Sequence, residues 1–378
     1  MGVALPPGPV WIPLLEATWG SGAAVLPLDP RLRPAELRAV VEWANPGLVL
    51  DGEGATIRTD GRSVEPETAV AVATSGTAGM PKVVELSRSA LEAAVDGSAR
   101  ALGSAPTDSW LCCLPVAHIG GLLVLLRAVI AGSPVQVHAA FDAAAVAAAD
   151  VDHVSLVPTM LHRLLESGAD LGRFRSLLVG GAELTEATVE AALDRGARVV
   201  HTYGLTETCG GIAYDGRLFD RAAARLGAED ELQLAGPTLM RGYRGDPAAT
   251  AAAFTLDGWL RTGDAGSIDG DGRVRVRGRL DERIRTGAET VWPQEVETAL
   301  RGHPKIREVA VAGRPDPEWG EHVVAFVVPS LVDEPPTLEE LRDHAAEALA
   351  RFKAPRELVL LAELPRTASG KVRRAELR

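Results

Sequence analysis

Lysine is almost missing from this chain: there are 4 lysines against 35 arginines, although both residues supply a generic surface cation. The survivors are Lys82, Lys305, Lys353 and Lys371. Lysine is a compact, mobile point charge and arginine a planar fork, so a retained lysine marks a place where shape counts. Lys305, between Pro304 and Ile306, reads as chance survival. Cysteine is also scarce, with only Cys112, Cys113 and Cys209. Two of these are sequence neighbours, which leaves no disulfide framework and points to a reducing compartment, most simply the cytoplasm. An excess of positive charge is lacking as well. The formal net charge of -12 argues against nucleic acid or an anionic membrane as the main partner and leaves room for local cationic sites that hold a small anion. Long hydrophobic runs are absent: Ile119 to Ala131 is short and carries Arg127, and the first twenty or so residues lack a basic region and are broken by prolines. Neither a membrane span nor a secretory signal is expected.

What is present is a chain of 378 residues, 46% of them hydrophobic, too long for one ordinary core and enough for two domains. Between about Val70 and Thr202 the apolar runs AVAVA, LCCL, VQVH, VSLV, SLLV and RVVH read as strands separated by amphipathic helices rich in Ala and Leu. That alternation predicts an α/β sheet. Helix starts are predicted at Ser87, Asp142, Thr159 and Thr185, whose side-chain oxygens can cap a first turn. From Glu231 to Gly278 the chain is rich in Gly and Asp, and DGDG at Asp269 to Gly272 ahead of RVRVRG predicts a hairpin in an added β subdomain. The pattern then resets, with a helix opened by Pro293, strands around Val309 to Val311 and Val323 to Val328, and a helix from Leu338. The expected organisation is a large N-terminal α/β domain over residues 1–280 and a small, mobile α+β domain over 281–378, with the boundary near Asp281. No fixed-period repeat is present.

The segment Thr74-Ser75-Gly76-Thr77-Ala78-Gly79-Met80-Pro81-Lys82 directly follows the strand AVAVA. Its glycines let the backbone curl with N–H groups pointing inward, and its hydroxyls and ammonium add donors, which equips it to hold polyphosphate. It is not a Walker A loop, because GxxxxGK[ST] is absent. By itself such a loop is more often a surface turn, but ordered companions follow: Pro115-Val116-Ala117-His118, Gly180-Gly181-Ala182-Glu183, Tyr203-Gly204-Leu205-Thr206-Glu207, Gly258 to Asp264 (GWLRTGD), Gly278-Arg279-Leu280-Asp281 and Pro365 to Lys371 (PRTASGK).

Taken together these motifs resemble those of the adenylate-forming superfamily of acyl- and aryl-CoA synthetases, luciferases and peptide-synthetase adenylation domains. Within it the chain is most similar to the o-succinylbenzoate-CoA ligases of menaquinone synthesis, through HIGGLLVLLRAVIAG, YGLTETCGG with the YDG that follows, and ETVWPQEVE. The resemblance implies an AMP-forming acid–thiol ligase that uses a small carboxylic acid, ATP, Mg²⁺ and coenzyme A, as a monomer or homodimer. It implies that Lys371 reaches the acid and the α-phosphate, that Glu207 helps hold Mg²⁺, and that Thr74, Ser75, Gly76, Thr77, Gly79 and Lys82 grip the phosphates. Bringing a carboxylate to a phosphate costs about 4 kcal/mol of repulsion at ~4 Å and an effective dielectric near ~20, which cations must offset.

By the same resemblance Asp264 accepts the ribose hydroxyls, Arg279 and Thr206 belong to the nucleotide site, and Tyr203 and Gly204 face the Gly181-Ala182 strip across the adenine. His118 closes the acyl pocket, while Gly120, Gly121, Gly210 and Gly211 make room in its walls for an aromatic ring. Thr208 and Arg127 are candidates for the second carboxylate of the acid, although Arg127 could equally face solvent. Asp281 matches the hinge. Each residue also has a bland reading: Lys371 as a solvated tail charge, Asp264 as a turn residue, Tyr203 as packing, His118 as a satisfied core or cap residue.

The chain departs from the family pattern at Ala78, Val83 and Arg285, where a hydroxyl, a glycine and a lysine are usual. Its phosphate loop also begins early, which implies an abbreviated N-terminal part. Competing expectations are another aryl- or acyl-CoA ligase, an enzyme loading a carrier protein, and a nucleotide-binding relic. The relic reading is disfavoured because it has no need of Lys371, Glu207 and Asp264 together.

Overall fold

The computed structural model describes residues 1–74, 82–366 and 372–377. The chain falls into two compact units. One comprises residues 1–225, 233–261 and 269–274, the other 226–232, 262–268 and 275–378.

The first unit is organised around a seven-stranded sheet. In spatial order its strands are Arg217–Leu218, Gly210–Tyr214, Val199–Leu205, Ser176–Gly180, His153–Leu156, Trp110–Cys112 and Val135–Val137. The last five run parallel, Gly210–Tyr214 pairs antiparallel with Val199–Leu205, and Arg217–Leu218 antiparallel with Gly210–Tyr214. A parallel sheet is covered on both faces, which makes its strands continuously apolar. Side chains alternate accordingly: Leu177 and Val179 enter one core with Leu156, Leu161 and Ala192, while Leu178 and Val200 enter the other with Trp110, Leu122 and Ile212. Five of the six predicted strands lie in this sheet. The sixth, Thr68–Thr74, does not. It forms an antiparallel hairpin with Lys82–Ser87, extended by Gly242–Tyr243, in a sheet of its own. A four-stranded sheet of Leu26–Pro27, Gly2–Ala4, Leu48–Asp51 and Gly54–Ile57 also belongs to this unit.

Three of the predicted caps hold. Ser87, Asp142 and Thr185 accept from the backbone N–H of Ala90, Ala145 and Thr188 at 3.1, 2.8 and 3.2 Å. Thr159 does not cap. Its helix, Pro158–Glu166, starts two residues earlier with Val157 as the cap, because the ring of Pro158 presets φ for the first turn and has no N–H to satisfy.

The second unit contains a five-stranded sheet in which Ile306–Asp316 and Gly320–Pro329 form a long antiparallel hairpin. On the other side of Gly320–Pro329, Glu357–Leu360 runs parallel to it. Period-two alternation again divides the faces. Val309, Val311, Val323 and Val327 pack with Val296, Leu300 and Leu341 of the helices Pro293–Leu300 and Leu338–Ala346. On the opposite face Ala310, Ala312, Val324 and Phe326 pack with Leu364 and Leu377 from the tail. In the first unit the Asp269–Gly272 turn forms as expected, with Asp269 accepting from the N–H groups of Asp271 and Arg273 at 3.0 and 2.8 Å. Among the described residues no helix is long and apolar enough to cross a membrane.

Candidate active site

In the first unit the predicted residues gather beyond the carboxyl ends of the parallel strands, the usual ligand position in an α/β sheet. His118 follows Trp110–Cys112, Gly181 and Ala182 follow Ser176–Gly180, and Tyr203 to Glu207 close Val199–Leu205 and enter the turn Thr206–Thr208. Gly180 pairs in register with Thr202, which sets the Gly181-Ala182 strip and Tyr203 on neighbouring strand ends. Gly181 has φ +84° and, with Ala182, is exposed, so the strip offers open backbone.

The hairpin Thr68–Thr74 and Lys82–Ser87 carries the predicted phosphate loop at its tip, with Thr74 paired to Lys82. Ser75, Gly76, Thr77, Ala78 and Gly79 lie outside the described residues, as does Lys371. Val83 is fully buried against Ala71, Leu26 and Val40, so this position serves the core of the hairpin.

Glu207 is half-buried, and its Oε1 accepts the phenol O–H of Tyr243 at 2.8 Å. A hard cation such as Mg²⁺ takes oxygen ligands, keeps several waters and needs few protein carboxylates, which Glu207 together with nucleotide phosphates would satisfy. His118 caps the helix Ile119–Ala131, and its Nε2 stands 3.9 Å from Asp29 Oδ2. Burial works against ionisation of Asp29, but hydrogen bonds from Arg31 and its charge outweigh it and hold the carboxyl below its ordinary value. Asp29 was not legible as a partner of His118, since the two lie far apart in sequence.

Other predicted residues have local duties. The Thr208 hydroxyl is fully buried, accepts from Leu205 N–H at 2.9 Å and lies 2.7 Å from the Gly210 carbonyl, so it braces the turn after Glu207. Arg127 neither faces solvent nor reaches the strand ends. It is buried in the core, donates to Ser98 Oγ at 2.8 Å and stacks 3.7 Å from the Trp110 ring, with desolvation pushing its pKa down to about 10. Gly121 and Gly210 are glycines for packing reasons: a Cβ on Gly121 would meet the Leu114 carbonyl at 2.8 Å, and one on Gly210 would meet Leu123 Cδ1 at 2.6 Å. Gly120 is different. It is exposed, and a Cβ there would find only Leu114 Cδ1 at 3.6 Å.

In the second unit Asp264, Arg279 and Asp281 form one cluster. Asp264 is buried and accepts from Arg279 Nη1 at 3.3 Å; that nitrogen also donates to the Thr262 carbonyl at 2.8 Å, and Arg279 Nε donates to Asp281 at 3.3 Å. Burial would lower the pKa of Arg279, but the two carboxylates more than offset this and raise it. The same unit has a cavity of about 690 Å³ lined by Arg277, Arg283 and Arg285, whose charges are met by Asp230 and Glu229.

These features match known proteins. The profile described as AMP-binding enzyme matches residues 51–244, and that of the AMP-binding enzyme C-terminal domain matches residues 295–371. The chain belongs to the AMP-binding enzyme family. A probable 2-succinylbenzoate–CoA ligase of Mycobacterium tuberculosis is 40% identical over 331 residues, covering 84% of this chain and 85% of that protein. An indoleacetate–CoA ligase of Aromatoleum aromaticum is 36% identical over 371 residues, covering 89% and 72%. Among solved structures, the o-succinylbenzoate CoA synthetase of Bacillus subtilis in complex with its acyl-adenylate intermediate superposes with a TM-score of 0.91 at 28% identity, covering 100% of this chain and 87% of that one. Tyr243, whose hydroxyl touches Glu207, was missed in the sequence; it lies in MRGYRGD, and the glycines flanking Y-R were the available signal.

The contrast between the adjacent glycines is testable by thermal unfolding and acid saturation. Gly121→Ala should lose about 1–3 kcal/mol through overpacking. Gly120→Ala should fold as well as the parent, or up to ~1 kcal/mol better, and change only the KM for the acid.

Proposed function

We propose that this protein is an AMP-forming acid–CoA ligase of the cytoplasm that converts o-succinylbenzoate to its CoA thioester. The observation that carries this reading is the TM-score of 0.91, over the whole chain, with a synthetase that holds the o-succinylbenzoyl adenylate. The three free, buried cysteines, with Cys112 and Cys113 pushed up to about 12 by burial, suit a reducing compartment.

In the first half-reaction a carboxylate oxygen of the acid attacks the α-phosphorus of ATP and pyrophosphate leaves. In the second the CoA sulfur, deprotonated, attacks the acyl carbon and AMP leaves. Lys82 and the hydroxyl-rich loop from Thr74 hold the phosphates, Tyr203 and the Gly181-Ala182 strip sandwich the adenine, and Asp264, steadied by Arg279, accepts from the ribose. Glu207 would hold Mg²⁺, which supplies charge neutralisation on the phosphates. Lys371 approaches the acid and α-phosphate as charge develops, so it acts more on the transition state than on the ground state. His118 borders the acyl pocket at Gly120. A hinge at Asp281, between residues 1–280 and 281–378, would let the lysine withdraw so that the thiol can reach the acyl carbon.

The test of substrate is a pyrophosphate-release assay over o-succinylbenzoate, benzoate, indoleacetate and a fatty acid, each with and without CoA. o-Succinylbenzoate should show the highest kcat/KM by about 100-fold, because a site built for a second carboxylate leaves donors unpaired without it. Best turnover of indoleacetate would instead favour the reading suggested by the relative from Aromatoleum aromaticum.

Lys371→Ala should lower pyrophosphate release at least ~100-fold with ATP affinity within a few-fold, while thioester formation from pre-made adenylate survives. Near-parental release by the mutant would remove the assigned role.

Asp281→Pro fixes φ and removes an N–H. Measured separately, thioester formation should fall more than adenylation; equal loss in both would count against the hinge.

A further inference from the structure

Tyr243 lies outside every motif that suggested a function, yet it touches two of the residues that those motifs supply. The short strand Gly242–Tyr243 pairs antiparallel with Lys82–Ser87, with Gly242 opposite Glu85 and Tyr243 opposite Val84. The residue two places along a partner strand is a diagonal neighbour on the same face. For Tyr243 that residue is Lys82, whose ammonium stands 4.7 Å from the ring centroid, inside the ~6 Å reach of a cation–π contact. At its other end the phenol donates to Glu207 Oε1 at 2.8 Å. The backbone repeats the tie, since Met240 N–H donates to the Glu207 carbonyl at 2.8 Å.

Tyr243 has little freedom to move. Its own N–H donates to Thr250 Oγ1 at 2.8 Å, and a Cβ on Gly242 would meet Thr250 Cγ2 at 2.6 Å, so the strand lies hard against the helix Pro247–Ala253. Its successor Arg244 is buried and donates to the carbonyls of Ala44, Ser63 and Arg62 and to Glu85. One rigid side chain therefore bridges a flexible cation at the foot of the phosphate loop and the carboxylate after the sheet.

We propose that Tyr243 is a positioning residue that sets Lys82 and Glu207 in fixed relation before ATP arrives, so that phosphate and metal are received without rearrangement. The inference rests on the reading of Glu207 as the Mg²⁺ carboxylate and Lys82 as a phosphate cation. The hydroxyl aims Glu207, and the ring restrains Lys82.

The two halves of this role separate by mutation. ATP is titrated calorimetrically into the parent, Tyr243→Phe, Tyr243→Leu and Glu207→Gln over a range of Mg²⁺ concentrations, with thermal unfolding as a check on folding. Tyr243→Phe keeps the ring: its metal-free ATP affinity should stay within twofold of the parent, while the Mg²⁺ concentration for half-maximal tightening rises about tenfold. Saturating Mg²⁺ should restore its kcat for pyrophosphate release, a rescue that a merely structural defect would not show. Tyr243→Leu should also weaken metal-free ATP binding. Glu207→Gln should weaken the Mg²⁺ dependence more than Tyr243→Phe does. If it does and Tyr243→Phe titrates like the parent, the positioning role is overturned. If Glu207→Gln keeps the parental Mg²⁺ dependence, the metal assignment fails, and the positioning role with it.

Discussion

Burying a charge is costly unless it is paired and hydrogen-bonded, and two guanidinium groups, Arg244 buried and Arg374 partly buried, meet that condition beside the two predicted loops. Arg244 sits in the first unit with its charge against Glu85, on the strand Lys82–Ser87 that follows the predicted phosphate loop. Arg374 sits in the second, three residues beyond Lys371, with both Glu297 oxygens at 2.7 and 2.9 Å and Glu282 at 3.0 Å. Burial would lower the pKa of Arg374, and the two glutamates more than reverse this. Breaking the buried Arg244–Glu85 pair by removing one partner costs about 3–5 kcal/mol, so the strand at Glu85 is firmly held. The tail beside Arg374 is closed further by the Arg366–Val372 bridge and by the Arg373 N–H to Pro365 carbonyl bond of 2.8 Å.

The remaining arrangement follows from those fixed points. The hairpin under the predicted phosphate loop needs two buried faces to stay in register, and Val70, Val72, Val84 and Leu86 serve one while Ala71, Ala73 and Val83 serve the other. This explains a valine at position 83, where a glycine is usual, without reference to phosphate. The few lysines divide in a similar way. Lys305 and Lys353 are structural, each in a 2.6 Å ion pair, with Glu340 and Glu295. Lys353 holds the carboxylate that also accepts the Trp292 N–H at 3.0 Å and so caps the helix Pro293–Leu300. Lys82 alone of the described lysines stands in the candidate site.

Much of this was legible in the chain. Apolar runs such as SLLV and VSLV marked the doubly covered sheet, because a parallel strand has no polar face. Ser87, Asp142 and Thr185 marked helix starts, because capping is a local interaction. The ordered motifs marked the family, and Asp264, Arg279 and Asp281 were each picked out, although not as one cluster. Hidden were the contacts made across sequence distance: Asp29 with His118, Glu85 with Arg244, Tyr243 with Glu207. Arg127 was misread for the same reason. Nothing local distinguishes an arginine on the wet face of a helix from one stacked on Trp110 in a core.

The sequence by itself determined many of the strands and helices, where half of the helices begin, and the chemical kinds of group available to bind a nucleotide and an acid, since periodicity, capping and motif chemistry act over a few residues. Only the tertiary structure decided which of those groups are free to meet a substrate. Thr208 spends its hydroxyl on its own turn, Arg127 spends its charge in the core, and Gly121 is small because a carbonyl lies against it, while Gly120 next to it faces open space. The physical reason is that burial and hydrogen-bond satisfaction are set by what packs against a residue, and those neighbours come from strands and helices that the chain brings together only on folding.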